Sequence, residues 1–191
     1  MADSNITKRA LASALKELME EQPFSKISIG DICNKCEMNR KSFYYHFKDK
    51  YDLVNWIYYT ECLTALREKG YNTGWDLLDD LCAYFYENRS FYRKTLIVDG
   101  QNSFSEYFRD IIVTIISSDM DELFDQDDSL PFYVDFYTDA LLCSIKRWLL
   151  DKDCIPAETF TCMLKNCLLR TSVSIVQKFS LGLGQDESKN T

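Results

Sequence analysis

Arg40, Lys41 and Ser42 stand side by side, with Tyr44, Tyr45, His46, Lys48 and Lys50 close behind them. These cations, hydroxyls and rings donate hydrogen bonds to phosphate oxygens and base edges, so the chemistry they offer is recognition of a nucleic acid. Bond-making chemistry has little to draw on. His46 is the sole histidine, so a Ser-His or Cys-His nucleophile would have to borrow from this same set. The six glycines are scattered and form no phosphate-cradling loop or dinucleotide fingerprint. No enzyme, no cofactor and no metal centre is read from the sequence. Cys33 and Cys36 form a Cys-x-x-Cys, but no second pair stands at zinc-ribbon spacing, so small buried residues are the expectation.

The elements that must position this set are two short helices and a turn. Ser28 followed by Asp31 has the form of a capping box, so a helix starts near Ile29. Ile29, Ile32, Cys33 and Cys36 give it one apolar side. Asn39 is a second N-cap, and Phe43 and Phe47, four apart, give the next helix a side to bury. Arg40, Lys41, Ser42, Tyr44 and Tyr45 are left outward. That order is a helix-turn-helix, which lays its second helix in a major groove.

The order Ile29-x-Asp31-Ile32-Cys33, then a turn, then Phe43 to Leu53 (FYYHFKDKYDL), closely resembles the DNA-binding module of the TetR family of bacterial transcription regulators. The resemblance implies an all-α fold: an N-terminal three-helix module with the helix-turn-helix (1–48), followed by a helical regulatory and dimerisation domain (49–191). It implies phosphate contacts from Tyr44, Tyr45, His46, Lys48 and Lys50, base-edge contacts from Arg40, Lys41 and Ser42, and places for Ser28 and Asn39 in the same DNA-binding set. Lys50, opening the linking helix where free amides favour an anion, is the foremost phosphate candidate. His46 reads equally well as a helix-end residue packed on the next helix. One position departs from the family: Glu37 stands where a turn glycine is usual, which demands a left-handed backbone from a residue with a side chain. The NRKSFYYHFKDKYDLVNWIYYTE stretch is also similar to the subgroup associated with dihydroxyacetone-kinase operons, where co-regulator roles occur.

Composition agrees with local contact rather than bulk coating of nucleic acid. The net charge is −8, yet residues 1–50 hold nine Lys or Arg against seven Asp or Glu, and the remainder thirteen against twenty-three. There is no apolar run long enough to span a membrane and no secretory pattern at the N-terminus. The eight cysteines scattered through helical patterns then suit reduced thiols in a cytoplasm.

Along the chain, Asn5 to Glu21 reads as a first helix ended by Pro23, with Lys8 and Arg9 either on phosphate or solvated. A helix of some twenty residues runs from Asp49 to Gly70, followed by Trp75 to Asn88 and Ser90 to Val98. Ser103 and Glu106 open a helix to Ser118, although IIVTII (Ile111 to Ile116) would also suit a strand. Asp119 to Asp128 reads as a solvated acidic loop, without the pattern of a calcium site. Ser129 and Pro131 start a helix to Asp151, and Pro156 starts the last, to Leu181, before a loose polar tail, Gly182 to Thr191. The last two long helices are apolar on more than one side, which suits a homodimer made through them on a palindromic operator of double-stranded DNA. Trp75, Tyr84, Phe85, Tyr107, Phe108, Phe136, Tyr137 and Trp148 are either core or the wall of an effector pocket. Control would come from a small-molecule effector or a protein partner. The alternative, favoured by Glu37 and the acidic second half, is a co-regulator that keeps the fold and acts by docking a protein, with weak or no direct DNA binding.

Overall fold

The computed structural model describes residues 2–71, 73–98, 103–123, 128–167, 169, 170 and 173. Its backbone divides into two compact units, Met1–Cys154 and Ile155–Thr191. Among the described residues the first unit is helical and contains no strand: α1 (Ala2–Glu21), α2 (Ile29–Lys35), α3 (Arg40–His46), α4 (Lys50–Tyr58), α5 (Thr64–Lys69), α6 (Gly74–Glu87), α7 (Arg89–Leu96), α8 (Phe104–Leu123) and α9 (Leu130–Leu150).

Helix α1 buries Leu11, Ala14, Leu15 and Leu18, spaced three and four apart, and packs on α2, α3, α4 and α7. Pro23, with an extended backbone, ends it, and a single 3-10 turn, Phe24–Lys26, follows. The capping box at Ser28 is formed: Ser28 Oγ accepts from Asp31 N (3.2 Å) and Asp31 Oδ2 accepts from Ser28 N (2.8 Å). Asp49 caps α4 through hydrogen bonds from Tyr51 N and Asp52 N, both 2.8 Å, while Asp52 reaches back to Lys48 N at 2.9 Å. Phe43, Phe47, Ile32, Leu53 and Ile57 close the core of the three-helix module.

The linking helix runs on from Lys50 to Lys69 but not as one regular helix. Tyr59–Leu63 is a π-turn, in which Thr64 N–H reaches back five residues to Tyr59 O and Thr64 Oγ1 donates to the same oxygen at 3.0 Å. Gly70 ends the run at φ +65°, a left-handed conformation natural to glycine.

The remainder of the first unit is built on a ring cluster. Tyr58 stacks on Phe85 (5.8 Å) and meets Tyr92, Phe104 and Phe108 edge-on at 6.2, 5.3 and 5.9 Å, with all five side chains fully buried. Phe85, Phe108 and Trp148, read as core or pocket wall, are core. Helix α8 lies against α9, held at its flank by Arg109 on Asp135 (2.7 Å) and Asp139 (3.0 Å). The two carboxylates raise the Arg109 pKa.

IIVTII is helical, as the helix read from Ser103 and Glu106 requires, with Ile112 and Ile116 buried at helical spacing. One expectation changes here. The acidic stretch expected as a loop is helix as far as Leu123, because a run of acids without glycine or proline does not stop a helix; 124–127 lie outside the described residues. In the second unit a helix, α10, spans 157–167, with Phe160 N bonded to Pro156 O at 3.0 Å. Met163, Leu169 and Val173 are exposed. The rest of the expected last helix and the polar tail lie outside the described residues.

Candidate nucleic-acid interface

Helix α2 ends in a tight cap that fixes the angle at which α3 leaves it. Met38 N bonds to Cys33 O (2.8 Å) and Glu37 N to Asn34 O (3.3 Å), the paired bonds of a Schellman cap. Glu37 stands at the pivot with φ +55°, alone among the described non-glycine residues in having a positive φ. The left-handed strain expected from its sequence position is therefore real. Asn39 Oδ1 then accepts from Ser42 N (2.9 Å) and starts α3. Phe43 is wholly buried in α3 and Phe47, its C-cap, is nearly so; Phe47 meets Trp56 of α4 at 5.8 Å. One face of this short helix is thereby fixed in the core and the other is presented to solvent.

The outward residues are Lys41, Tyr44, Tyr45 and Lys48. Tyr45 is 83% exposed and Tyr44 58%, so neither is a core ring, although Tyr44 rests edge-on against Phe43 at 5.7 Å. His46 is half-buried at the end of the helix, with the Tyr45 ring 4.9 Å away. Ser28 and Asn39 serve as caps, and the Ser42 hydroxyl donates to Asn39 Oδ1 at 3.3 Å. Arg40, though exposed, leans back over α2: a methyl group placed on Gly30 would come 2.7 Å from its Nη2. The Asp31 carboxyl is held below the usual aspartate range, first by the Ser28 hydroxyl, then by the Ser28 amide, with Arg40 adding a smaller pull.

Lys50 has a different place from the one expected. Its ammonium donates to Phe24 O (2.8 Å), Ile27 O (2.7 Å) and Ser25 O (3.3 Å) and lies 4.6 Å from the centre of the Phe24 ring. All three donors are spent on the turn before α2, so in this structure Lys50 holds the helix-turn-helix from beneath. Burial lowers its pKa, while three carbonyl dipoles hold the ammonium. The sequence showed a lysine at a helix start; it could not show the carbonyls that converge on it. Lys8, the other early basic candidate, lies over the Phe47 and Trp56 rings at 5.7 and 5.8 Å.

Cys33 is buried and Cys36 half-buried, with Cys36 Sγ donating to Ile32 O at 3.2 Å. Burial raises both thiol pKa values, which disfavours the thiolate that metal binding and redox exchange require.

Sequence reading missed the groups that tie the module to the helices behind it. Lys94 of α7 donates to Met19 O and Glu20 O at the end of α1, where orphan carbonyls attract a cation. Lys16 of α1 pairs with Glu61 in the π-turn. Lys35 of α2 reaches Glu17 (3.3 Å) and Glu21 (3.7 Å) on α1. It also missed a cavity of about 240 Å³ against the linking helix, lined chiefly by leucines and isoleucines with Tyr58, Arg67 and Tyr71. Of the aromatic residues proposed as pocket wall, Tyr84 instead borders a cleft of about 470 Å³ with α1 and α7.

Comparison with known proteins bears on the whole arrangement. Residues 11–57 match the family model described as "Bacterial regulatory proteins, tetR family", and residues 74–170 match one described as "Transcriptional regulator C-terminal region". The HTH-type dhaKLM operon transcriptional activator DhaS of Lactococcus lactis is 30% identical over 109 residues, which are 56% of this chain and 57% of that protein. The chain thus spans little more than half the length of that relative. Among solved structures, a dihydroxyacetone kinase operon activator DhaS is similar at a TM-score of 0.62 and 22% identity, covering 87% of this chain and 96% of that one. A TetR transcriptional regulator from Streptococcus agalactiae 2603V is similar at 0.65 and 22%, covering 83% and 91%. These two likenesses are of fold. Two consecutive family models together span the capped helix pair and the helices behind it, and the chain belongs to the TetR family of transcriptional regulators.

Proposed function

We propose that this regulator binds a palindromic operator in double-stranded DNA as a homodimer, with α3 in the major groove. The observation that carries this reading is the outward face of α3: Lys41, Tyr44 and Tyr45 are exposed on a helix whose opposite face is immobilised by Phe43 and by its C-cap Phe47, and Lys48 is exposed in the bend just beyond. In this reading Lys41, with Arg40 swung off Gly30, reads base edges, and Tyr44, Tyr45, His46 and Lys48 hold phosphates. Residues 1–48 act as the reading head and 49–191 as the regulatory and dimerisation part. Phe132 and Phe136, 68% and 59% exposed and one turn apart on α9, supply part of the dimer surface. A small-molecule effector in the cavity beside the linking helix alters the spacing of the two heads.

Gel shifts of promoter DNA from the gene's own neighbourhood, at low and moderate salt, test the proposal. Lys48→Ala is expected to weaken all sequences alike, and Lys41→Ala to relax base preference. Absence of any sequence-selective shift refutes the reading and favours a co-regulator acting through a protein partner.

A further inference from the structure

The reading head meets the helices behind it by two routes. One is the linking helix, and the other is α1, which packs on α7. Met19 lies in the last turn of α1, and the residue four places on, whose N–H would bond to its carbonyl in a continuing helix, is Pro23. The helix therefore cannot satisfy Met19 O from its own backbone. Lys94 of α7 does so: its half-buried side chain donates to Met19 O, and to Glu20 O at 3.5 Å, at the end where the helix dipole also favours a cation. One turn earlier in α1, Lys16 pairs with Glu61 of the π-turn and lies 5.9 Å from the centre of the Phe91 ring of α7. The side chains of that pair are 36% and 38% exposed, so by itself it contributes little. The cleft of about 470 Å³ has Lys16, Met19, Tyr84, Phe91 and Lys94 in its wall. The seam between α1 and α7 is thus partly open, where close-packed side chains would otherwise fix the angle between them. Over that stretch the polar ties hold what packing leaves free, and the Lys94 tie is the stronger.

We propose that Lys94 is a positioning residue for operator spacing: by supplying the donor that Pro23 lacks, it holds each reading head at one attitude and so sets which separation of half-sites the dimer accepts. One inserted base pair carries a half-site about 3.4 Å along the duplex and about 35° around it. Heads held at a fixed angle lose contact with such a site, whereas loosely hung heads follow it. Lys94 acts through α1 and does not itself touch DNA. The proposal rests on the operator reading above and adds to it a determinant of specificity remote from α3.

The test uses the full chain, the operator recovered from promoter DNA of the gene's own neighbourhood, versions of it with one or two base pairs inserted at the centre, and the isolated half-site. Lys94→Met is expected to lower the preference for the native spacing by at least about threefold while leaving half-site affinity unchanged. Lys94→Arg, which keeps a donor, restores the preference. Lys35→Met breaks a tie of α2 to α1 inside the head; it controls for mere destabilisation and leaves the preference unchanged. Hydrogen exchange read by mass spectrometry tests the tie without DNA: Lys94→Met speeds exchange at the end of α1 and in α7, and not in α2 or α3. Unchanged exchange at both places refutes the tie. Faster exchange with an undiminished spacing preference refutes its role in spacing, and so does an equal loss of affinity on every DNA or the same loss of preference from Lys35→Met. A parent chain that shifts no DNA refutes the operator reading and the spacing role with it, while exchange still judges the tie.

Discussion

Replacing Lys50 with Met separates two jobs that the sequence alone could not distinguish. Methionine keeps most of the aliphatic stem that lies against Phe24 and removes the ammonium, leaving Phe24 O and Ile27 O without the donor now 2.8 and 2.7 Å away. A hydrogen bond to a charged group is worth about 1.5–3 kcal/mol, and an acceptor left unpaired in a part-buried site costs about 1–3 kcal/mol. Lys50 is only half-buried, so water will recover part of that loss, and a net destabilisation of about 2–4 kcal/mol is expected. For a chain of this length each kcal/mol moves Tm by about 2–4 °C, so melting should fall by roughly 5–15 °C. Circular dichroism melting gives that number, and operator titration across salt concentrations gives the second. A lysine on phosphate would remove about 0.9 from the log-log salt slope when lost. An unchanged Tm together with a slope reduced by that amount would refute the assignment and restore Lys50 to the DNA surface.

Glu37→Gly should raise stability by roughly 0.5–1 kcal/mol, because glycine accepts the φ of +55° without a Cβ penalty; a urea midpoint that falls would show the turn is held by something else. Asp31 titrates below its unfolded value of about 3.9, so its contribution is complete above that pH and drains away as pH drops through the lower folded value. Urea midpoints of the parent and Asp31→Asn should differ from neutral pH down to about 4 and converge below it; a gap that ignores pH would refute the capping account. Phe136→Asp, placing a charge on the exposed ring pair of α9, should give a monomer by sedimentation with an unchanged helical spectrum, and a dimer of parental mass would move the interface elsewhere.

What could be read in advance was whatever depends on neighbours in sequence. Ser28 with Asp31, Asn39 before Arg40 and Asp49 before Lys50 each announce a helix start through bonds spanning two or three residues, and each formed. Glu37 was legible for the same reason: a turn that short leaves one backbone conformation for its pivot. The seat of Lys50 could not be read because its partners lie 23 to 26 residues earlier, and the Lys94 contact with α1 spans some 75. The stretch after Ser118 was misread because solvated acids suit a loop and a helix face equally, and only the absence of glycine or proline there argued for the helix. The cavity needed three helices to be assembled before Tyr58, Arg67 and Ile111 could be neighbours.

The wide turn at Tyr59–Leu63 has a consequence for how this chain tolerates change in length. A π-turn holds one more residue than an α-turn, so removing any one of its five would let the segment anneal into regular helix without breaking it. The phase beyond it would be kept. Five residues of a π-turn and four of an α-turn each carry the chain about once round the axis, so Leu66 would stay on its buried side. A residue removed from the regular helix on either side would have no such slack and would swing everything downstream by about 100°. The wide turn is thus the place where the linking helix absorbs a change in length.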